Sequence, residues 1–288
     1  MRHLAAALVA VGALSACSSN SGGGGEAPIA PLTQAQEARF QNTVEEVGRT
    51  NTQFGKDKFK EEGAYARIAS ANPVPPPAIS QAEIDERIQR DCTMQGLDEM
   101  RKPSPTTIDF AVGGTQCPIS LKFSLRQNLG ADPNLPNGTM GFSVTFVIVD
   151  TQIAQQYDVQ GFDISMQASV QSQQSQNSGS ATATIKGQGT IKSRKEGLVK
   201  IALAGGMNAS GDASSYRSQE NYTLTMTYPD GLRVELKETK SNENGTQLAQ
   251  CFLNGKEITA EECTDVKSKL DMDDAGQETE RAVLASAY

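Results

Sequence analysis

The chain has 288 residues, with 26 Lys+Arg against 34 Asp+Glu, a formal charge of −8, one histidine and no tryptophan. An acidic chain without basic clusters is a poor counterion for phosphate, so nucleic acid is not an expected partner. A mean hydropathy of −0.43 excludes an integral helical membrane protein, and the length is enough for a sizeable core.

Residues 1–17 read MRHLAAALVAVGALSAC. A positive start leads into an apolar run from Leu4 to Leu14, too short to anchor stably across a bilayer. The run ends in Leu14-Ser15-Ala16-Cys17, which resembles the lipobox of bacterial lipoproteins: a leucine, two small residues and a cysteine. The resemblance covers these 17 residues alone. It implies diacylglycerol transfer to the Cys17 thiol, cleavage before Cys17 and acylation of the new amine, a firm membrane anchor. Ser18 at the second mature position implies, by the family's sorting rule, the outer membrane, with the domain facing the periplasm. The segment Ser18 to Gly25 is rich in Ser and Gly and is expected to be a flexible tether. Cleavage would also remove His3, leaving no histidine for a serine triad, a Cys–His dyad or a His-based metal site.

Once Cys17 is lipidated, four of the five cysteines remain: Cys92, Cys117, Cys251 and Cys263. An even number in an exported chain reads as disulfides. The expected pairs are Cys92–Cys117 and Cys251–Cys263, 25 and 12 residues apart. Neither spacing suits a four-thiolate zinc site.

Downstream, Phe40, Val44 and Val47 recur at helical steps within 32–62. Asn72 to Pro77 is proline-rich and expected to run extended. Ser80-Gln81-Ala82-Glu83 is a capping box that opens a helix carrying Ile84, Ile88 and Cys92 on one face. After Pro105 the apolar period becomes two. Strands are expected around Ile108–Val112, Ile119–Leu125, Gly141–Asp150, Phe162–Val170, Ala181–Ile191, Leu198–Ala204, Tyr222–Tyr228, Leu232–Thr239 and Thr246–Leu253. Gly141–Asp150 is apolar at both alternations and is expected to be covered on both faces. Turn signals lie at Asn137-Gly138, Ser178-Gly179, Pro229-Asp230-Gly231, Asn244-Gly245 and Asn254-Gly255. A capping box at Thr259 to Glu262 opens a last helix with Cys263, Val266 and Leu270.

The expected fold class is α+β: an antiparallel meander of about nine strands, as a curved sheet or open barrel packed with N- and C-terminal helices. The expected organisation is a signal peptide at 1–16, lipidated Cys17 and flexible linker at 17–31, a helical segment with a Pro-rich connector at 32–104, the β domain at 105–258, and a C-terminal helix with an acidic tail at 259–288.

No cofactor, metal or catalytic residue is assigned from sequence. Asp271 to Gly276 resembles a calcium loop but lacks its later oxygen ligands, which fall at Ala275 and Ala282. Asp109, Asp163, Glu220 and Glu235 are the carboxylates nearest to strands, and two of them facing each other would be needed for hydrolysis without histidine. The apolar face of the strand Ala181–Ile191 is unusually small (Ala181, Ala183, Gly187, Gly189). It reads as strong local sheet curvature, as a closed core with a helix lying close against the strand, the expected case, or as an open apolar groove. Three functions follow. The first is a non-catalytic, lipid-anchored envelope protein that binds or scaffolds another envelope protein. The second is a carrier or chaperone holding a lipid or acyl chain in the concave face, similar to the half-barrel lipoprotein-localisation factors in architecture but sharing no motif. The third is a carboxylate hydrolase.

Overall fold

The computed structural model describes residues 30–51, 79–96, 106–129, 138–174, 178–212 and 215–270. The lipobox, the Pro-rich run and the acidic tail lie outside the described residues.

Eleven strands form one antiparallel sheet in which each strand pairs with the next in sequence. They are β1 (Thr93–Gln95), β2 (Thr107–Gly113), β3 (Ile119–Leu129), β4 (Gly138–Ile148), β5 (Val159–Gln174), β6 (Ser178–Ser193), β7 (Gly197–Asp212), β8 (Tyr216–Thr227), β9 (Arg233–Glu243), β10 (Thr246–Leu253) and β11 (Lys256–Ile258). The sheet is open, because β1 and β11 do not pair with each other. Helices α1 (Gln34–Asn51), α2 (Gln81–Asp91), α3 (Thr151–Ala154) and α4 (Ala260–Lys269) complete the described elements. None of these helices is long and apolar enough to cross a membrane.

The strand count exceeds the expected nine because β1 and β11 have three residues each, too few for alternation to register. β1 also falls inside the segment assigned to helices. Gly141–Asp150 departs from expectation in two ways. The strand stops at Ile148, and Asp150 N-caps α3 by accepting from the backbone N–H groups of Gln152 and Ile153. Only one of its faces is buried: Phe142, Val144, Phe146 and Ile148 are inside, whereas Val149 is 57% exposed. No described helix lies over its other face. Ser178 and Gly179 belong to β6, and Gly138 begins β4. The Asn244-Gly245 and Asn254-Gly255 turns do form, with all four residues at positive φ (51°, 87°, 47° and 78°), the backbone demanded by tight hairpin turns of the I′ type.

One face of the sheet carries the core, and two helix pairs cover it. Over β2–β5, Ile84 and Ile88 of α2 and Ile153 of α3 pack on Phe110, Leu121, Phe123, Val144 and Phe146. Over β6–β10, Phe40 and Val44 of α1 and Cys263 and Val266 of α4 pack on Ile191, Val199, Met226, Val234 and Leu236. Each half has one disulfide. Cys92–Cys117 ties the C-cap of α2 to the β2–β3 connection, and Cys251–Cys263 ties β10 to α4. Both expected pairs are thus formed, and each fixes a helix to the sheet that it covers. At the start of α4 the capping box is complete: Thr259 Oγ1 accepts from the Glu262 N–H, and Glu262 accepts from the Thr259 N–H. The Thr259 N–H and hydroxyl, both donating to its carboxylate, hold Glu262 below its ordinary pKa. At α2 the box is half made. Ser80 accepts from the Glu83 N–H, but the Glu83 carboxylate reaches Arg87 instead.

A polar clasp seats α1. The Arg39 Nε donates to Glu196 at 2.6 Å, and its guanidinium lies 4.3 Å over the Tyr228 ring. The Tyr228 hydroxyl donates to Thr43 Oγ1 at 3.0 Å. One turn further on, the Glu46 carboxylate is 1% exposed, accepts from Ser193 Oγ at 3.1 Å and pairs with Lys195 at 3.0 Å. Arg49 pairs with Asp158 at 2.9 Å.

Candidate ligand cavity

The two helix-covered halves meet over β5–β8, and their packing does not close there. A cavity of about 130 Å³ lies at the seam. Its floor is the covered face of the sheet: Phe162, Ile164 and Met166 of β5, Gly187 and Ile191 of β6, Ile201 and Leu203 of β7, and Tyr222, Leu224 and Met226 of β8. Its roof is Val47 and Thr50 of α1 with Leu270 at the C-cap of α4.

The register explains the width of the floor. Gly187 stands between Met166 and Leu203, and Gly189 between Ile164 and Ile201. Two successive rows across the sheet therefore have no side chain at β6, where the neighbouring strands carry large ones. The two glycines differ in what they permit. A Cβ at Gly189 would lie 2.1 Å from the Asp163 carbonyl oxygen, so that position needs glycine for the close approach of β5. A Cβ at Gly187 would meet the Met166 side chain at 2.9 Å, and a methionine side chain can move.

The lining is apolar almost throughout, and its few hydroxyls are neutral. Burial, with the Glu238 carboxylate nearby, pushes the Tyr222 phenol above its ordinary pKa, so it stays protonated at any physiological pH. Glu238 is itself paired with Lys267 of α4 at 3.0 Å.

The other small residues of β6 belong elsewhere. Ala181 and Ala183 are 8% and 1% exposed and form a separate small core with Met207 and Ala209 of β7, against which Val170 and Tyr216 pack. Every member of that cluster is a strand residue. No described helix covers it. Of the four groove candidates, Gly187 lines the cavity, Gly189 sits in the next row with β5 close against it, and Ala181 and Ala183 lie outside.

The carboxylate candidates are dispersed. Asp109 is exposed, paired with Arg126 at 2.8 Å and accepting from Ser124; those contacts hold its carboxyl below the ordinary value. Asp163 accepts from Thr145 Oγ1. Asp109 and Asp163 lie on β2 and β5, three strand spacings or about 14 Å apart, beyond the reach of a carboxylate pair acting on one bond. Glu220 shares the covered-face row of Met207, whereas Glu235 alternates with buried Val234 and Leu236 and points the other way. Among the described residues no group of three or more His, Cys, Asp or Glu side chains could hold a metal ion.

The cavity was not legible residue by residue. Phe162, Ile201 and Leu224 read as ordinary core positions, and only the run of small residues on β6 signalled an opening. Neither a protein-family model, nor a curated protein, nor a solved structure matches the chain.

Proposed function

We propose that this is a lipid-anchored protein of the bacterial outer membrane, attached through Cys17 and facing the periplasm, whose β domain is non-catalytic and holds an apolar chain at the seam of its two cores. The lipobox and the two disulfides support export and anchoring. The observation that carries the binding reading is the apolar cavity roofed by helices. The pocket is part-open to solvent, with Phe162, Ile164, Ile201, Leu203 and Tyr222 only half-buried, and a dry engineered cavity of about 150 Å³ takes up benzene. A space of 130 Å³ thus accommodates a short stretch of aliphatic chain as it stands. A longer chain needs Met166 or the roof to move.

The test is native mass spectrometry of the mature chain from Ser18 onward, exported to the periplasm behind a cleavable signal that is not a lipobox, followed by titration of the delipidated protein with cis-parinaric acid. A bound aliphatic ligand, and probe fluorescence lost in Gly187→Leu, are expected. A ligand-free protein that also ignores the probe would refute the carrier reading.

A second observation favours the protein-binding reading. β11 covers only Cys251–Leu253 of β10. Thr246–Gln250 have no outer partner strand among the described residues and carry no charge or proline, and Leu248 is 67% exposed. Edge strands are usually guarded by such residues, so this edge suits strand addition by a partner. Leu248→Lys should abolish such pairing while leaving the cavity unaffected.

A further inference from the structure

We infer that one end of the sheet face turned away from the helices, where Lys122, Lys192 and Lys200 surround Val149 and Leu198, docks the domain on the anionic headgroups of a phospholipid bilayer. This rests on the reading of Cys17 as the membrane anchor and adds which surface of the domain meets that membrane.

The charges of this face are not balanced pair by pair. Among the described residues Lys122, Lys186, Lys192, Lys200 and Lys237 are exposed and make no ion pair. Every other described Lys or Arg reaches a carboxylate. All five lysines directly follow a buried strand residue (Leu121, Ile185, Ile191, Val199 and Leu236), so all five point to the uncovered face. In a chain of net charge −8, a face that gathers the unpaired cations is complementary to an anionic partner.

The register brings three of the five to one end. Lys192 pairs with Leu198, and Lys200 follows two residues along β7. The next row runs Lys122, Thr145, Asp163, Thr190, Lys200 across β3–β7. Asp163 is the acidic member of that row, and it accepts from Thr145 rather than from a lysine. Val147 stands in the row of Lys192, with Val149 just past the strand end. Val149 and Leu198 are 57% and 60% exposed. Exposed alkyl groups beside unpaired lysines suit a bilayer interface, where the alkyl groups enter the headgroup–acyl boundary and the ammonium groups meet phosphate.

The position of the tether selects a bilayer over an acidic protein. The Ala30 carbonyl accepts from Asn254 Nδ2 at 3.1 Å, and Asn254 also bonds the backbone of Arg233 and Glu235 at the start of β9. Arg233 belongs to the row of Lys200, two strand spacings or about 10 Å away. Twelve residues, Ser18 to Ile29, separate Ala30 from Cys17, a reach of about 45 Å at full extension. β6 alone, with 16 residues, is about 50 Å long. Acyl chains on Cys17 therefore present this end of the sheet to the bilayer, rather than the end at Ser178.

The experiment is flotation of the mature chain from Ser18 onward, which has no acyl anchor, with vesicles of phosphatidylcholine alone or with one-third phosphatidylglycerol. Binding is expected only to the anionic vesicles, and it should weaken as salt is raised. Changing Lys122, Lys192 and Lys200 together to Gln should weaken it at least tenfold, at about fivefold per lysine. Leu198→Ser should weaken it severalfold with the charge unchanged. Lys186 and Lys237 lie about 13 Å beyond the row of Lys200, more than a Debye length at physiological salt. Changing both to Gln should alter binding twofold or less. No binding to anionic vesicles, or an equal loss in the two sets of lysine variants, would overturn the proposal. Binding of soluble polyglutamate in place of vesicles would overturn it in favour of an acidic protein partner. Because this chain lacks Cys17, failure of the anchor reading shows separately, in the processing of Cys17→Ser.

Discussion

Gly187 and Gly189 lie two residues apart on the same face of β6, and the structure assigns them different roles. Alanine at Gly189 would set its methyl carbon 2.1 Å from the Asp163 carbonyl oxygen and 2.9 Å from the Ile164 Cα, both backbone atoms of a paired strand. Neither atom can move without disturbing the β5–β6 ladder. Overpacking of this kind typically costs about 1–3 kcal/mol. At roughly 2–4 °C per kcal/mol for a domain of this size, Gly189→Ala should lower the melting temperature by about 2–12 °C. Alanine at Gly187 meets the Met166 Cγ at 2.9 Å and the Leu203 Cβ at 3.3 Å. Met166 can swing into the cavity beside it, and replacing glycine restricts the unfolded chain by about 0.4–1 kcal/mol. Gly187→Ala should therefore stay within about 1 kcal/mol of the parent while shrinking the space for a ligand. The assay is paired thermal and urea unfolding of the two variants, with cis-parinaric acid binding measured on each. Equal destabilisation would refute the distinction, as would a Gly187→Ala protein that unfolds early and binds normally.

Ala183→Leu should destabilise by about 1–3 kcal/mol in urea unfolding, because Ala183 is fully enclosed with Met207, Ala209 and Val170; an unchanged midpoint would mean that this end of the sheet is open. Cys17→Ser should yield a precursor that is neither processed nor fractionated with the outer membrane, and normal processing of that variant would sink the lipobox reading. Thiol titration of the unreduced Cys17→Ser protein should find no free cysteine, since both remaining pairs are bonded. The Arg39 guanidinium holds the Asp230 carboxyl below its ordinary 3.8, so Asp230 contributes stability above that value and loses it as pH falls through the lowered one. Melting curves should therefore separate Asp230→Asn from the parent at pH 7 and converge in strong acid; a gap that widens on acidification would contradict the clasp.

What the sequence disclosed follows from what periodicity can report. Alternation along β3, β5 and β6 marks which side chains turn inward, and the Asn-Gly pairs mark where hairpins turn, because both are local properties of the chain. The disulfides were accessible for a related reason: short loops pair neighbouring cysteines. Three-residue strands such as β1 and β11 lie below the resolution of any pattern. The doubly apolar run at Gly141–Asp150 misled because Val147, and Val149 just past the strand end, fill the second alternation and make a one-sided strand look like a buried central one. The clasp on α1 was hidden for a different reason. The helical period of Phe40, Val44 and Val47 says nothing of what Arg39, Glu46 and Arg49 meet, and their partners Glu196, Lys195 and Asp158 lie more than a hundred residues away.

The cavity marks the limit of that kind of reading. Val47, Leu203 and Met226 each satisfy the pattern of a core residue, and alternation cannot say whether two helix pairs covering one sheet meet without a gap. That depends on how far apart α1 and α2 land across β5–β8, a long-range quantity set by the clasp, the two disulfides and the close approach at Gly189. The small face of β6 was the one local trace of it. Even there the four candidates divided by environment, since an alanine pair that closes a core and a glycine that floors a cavity have the same signature until their neighbours are known.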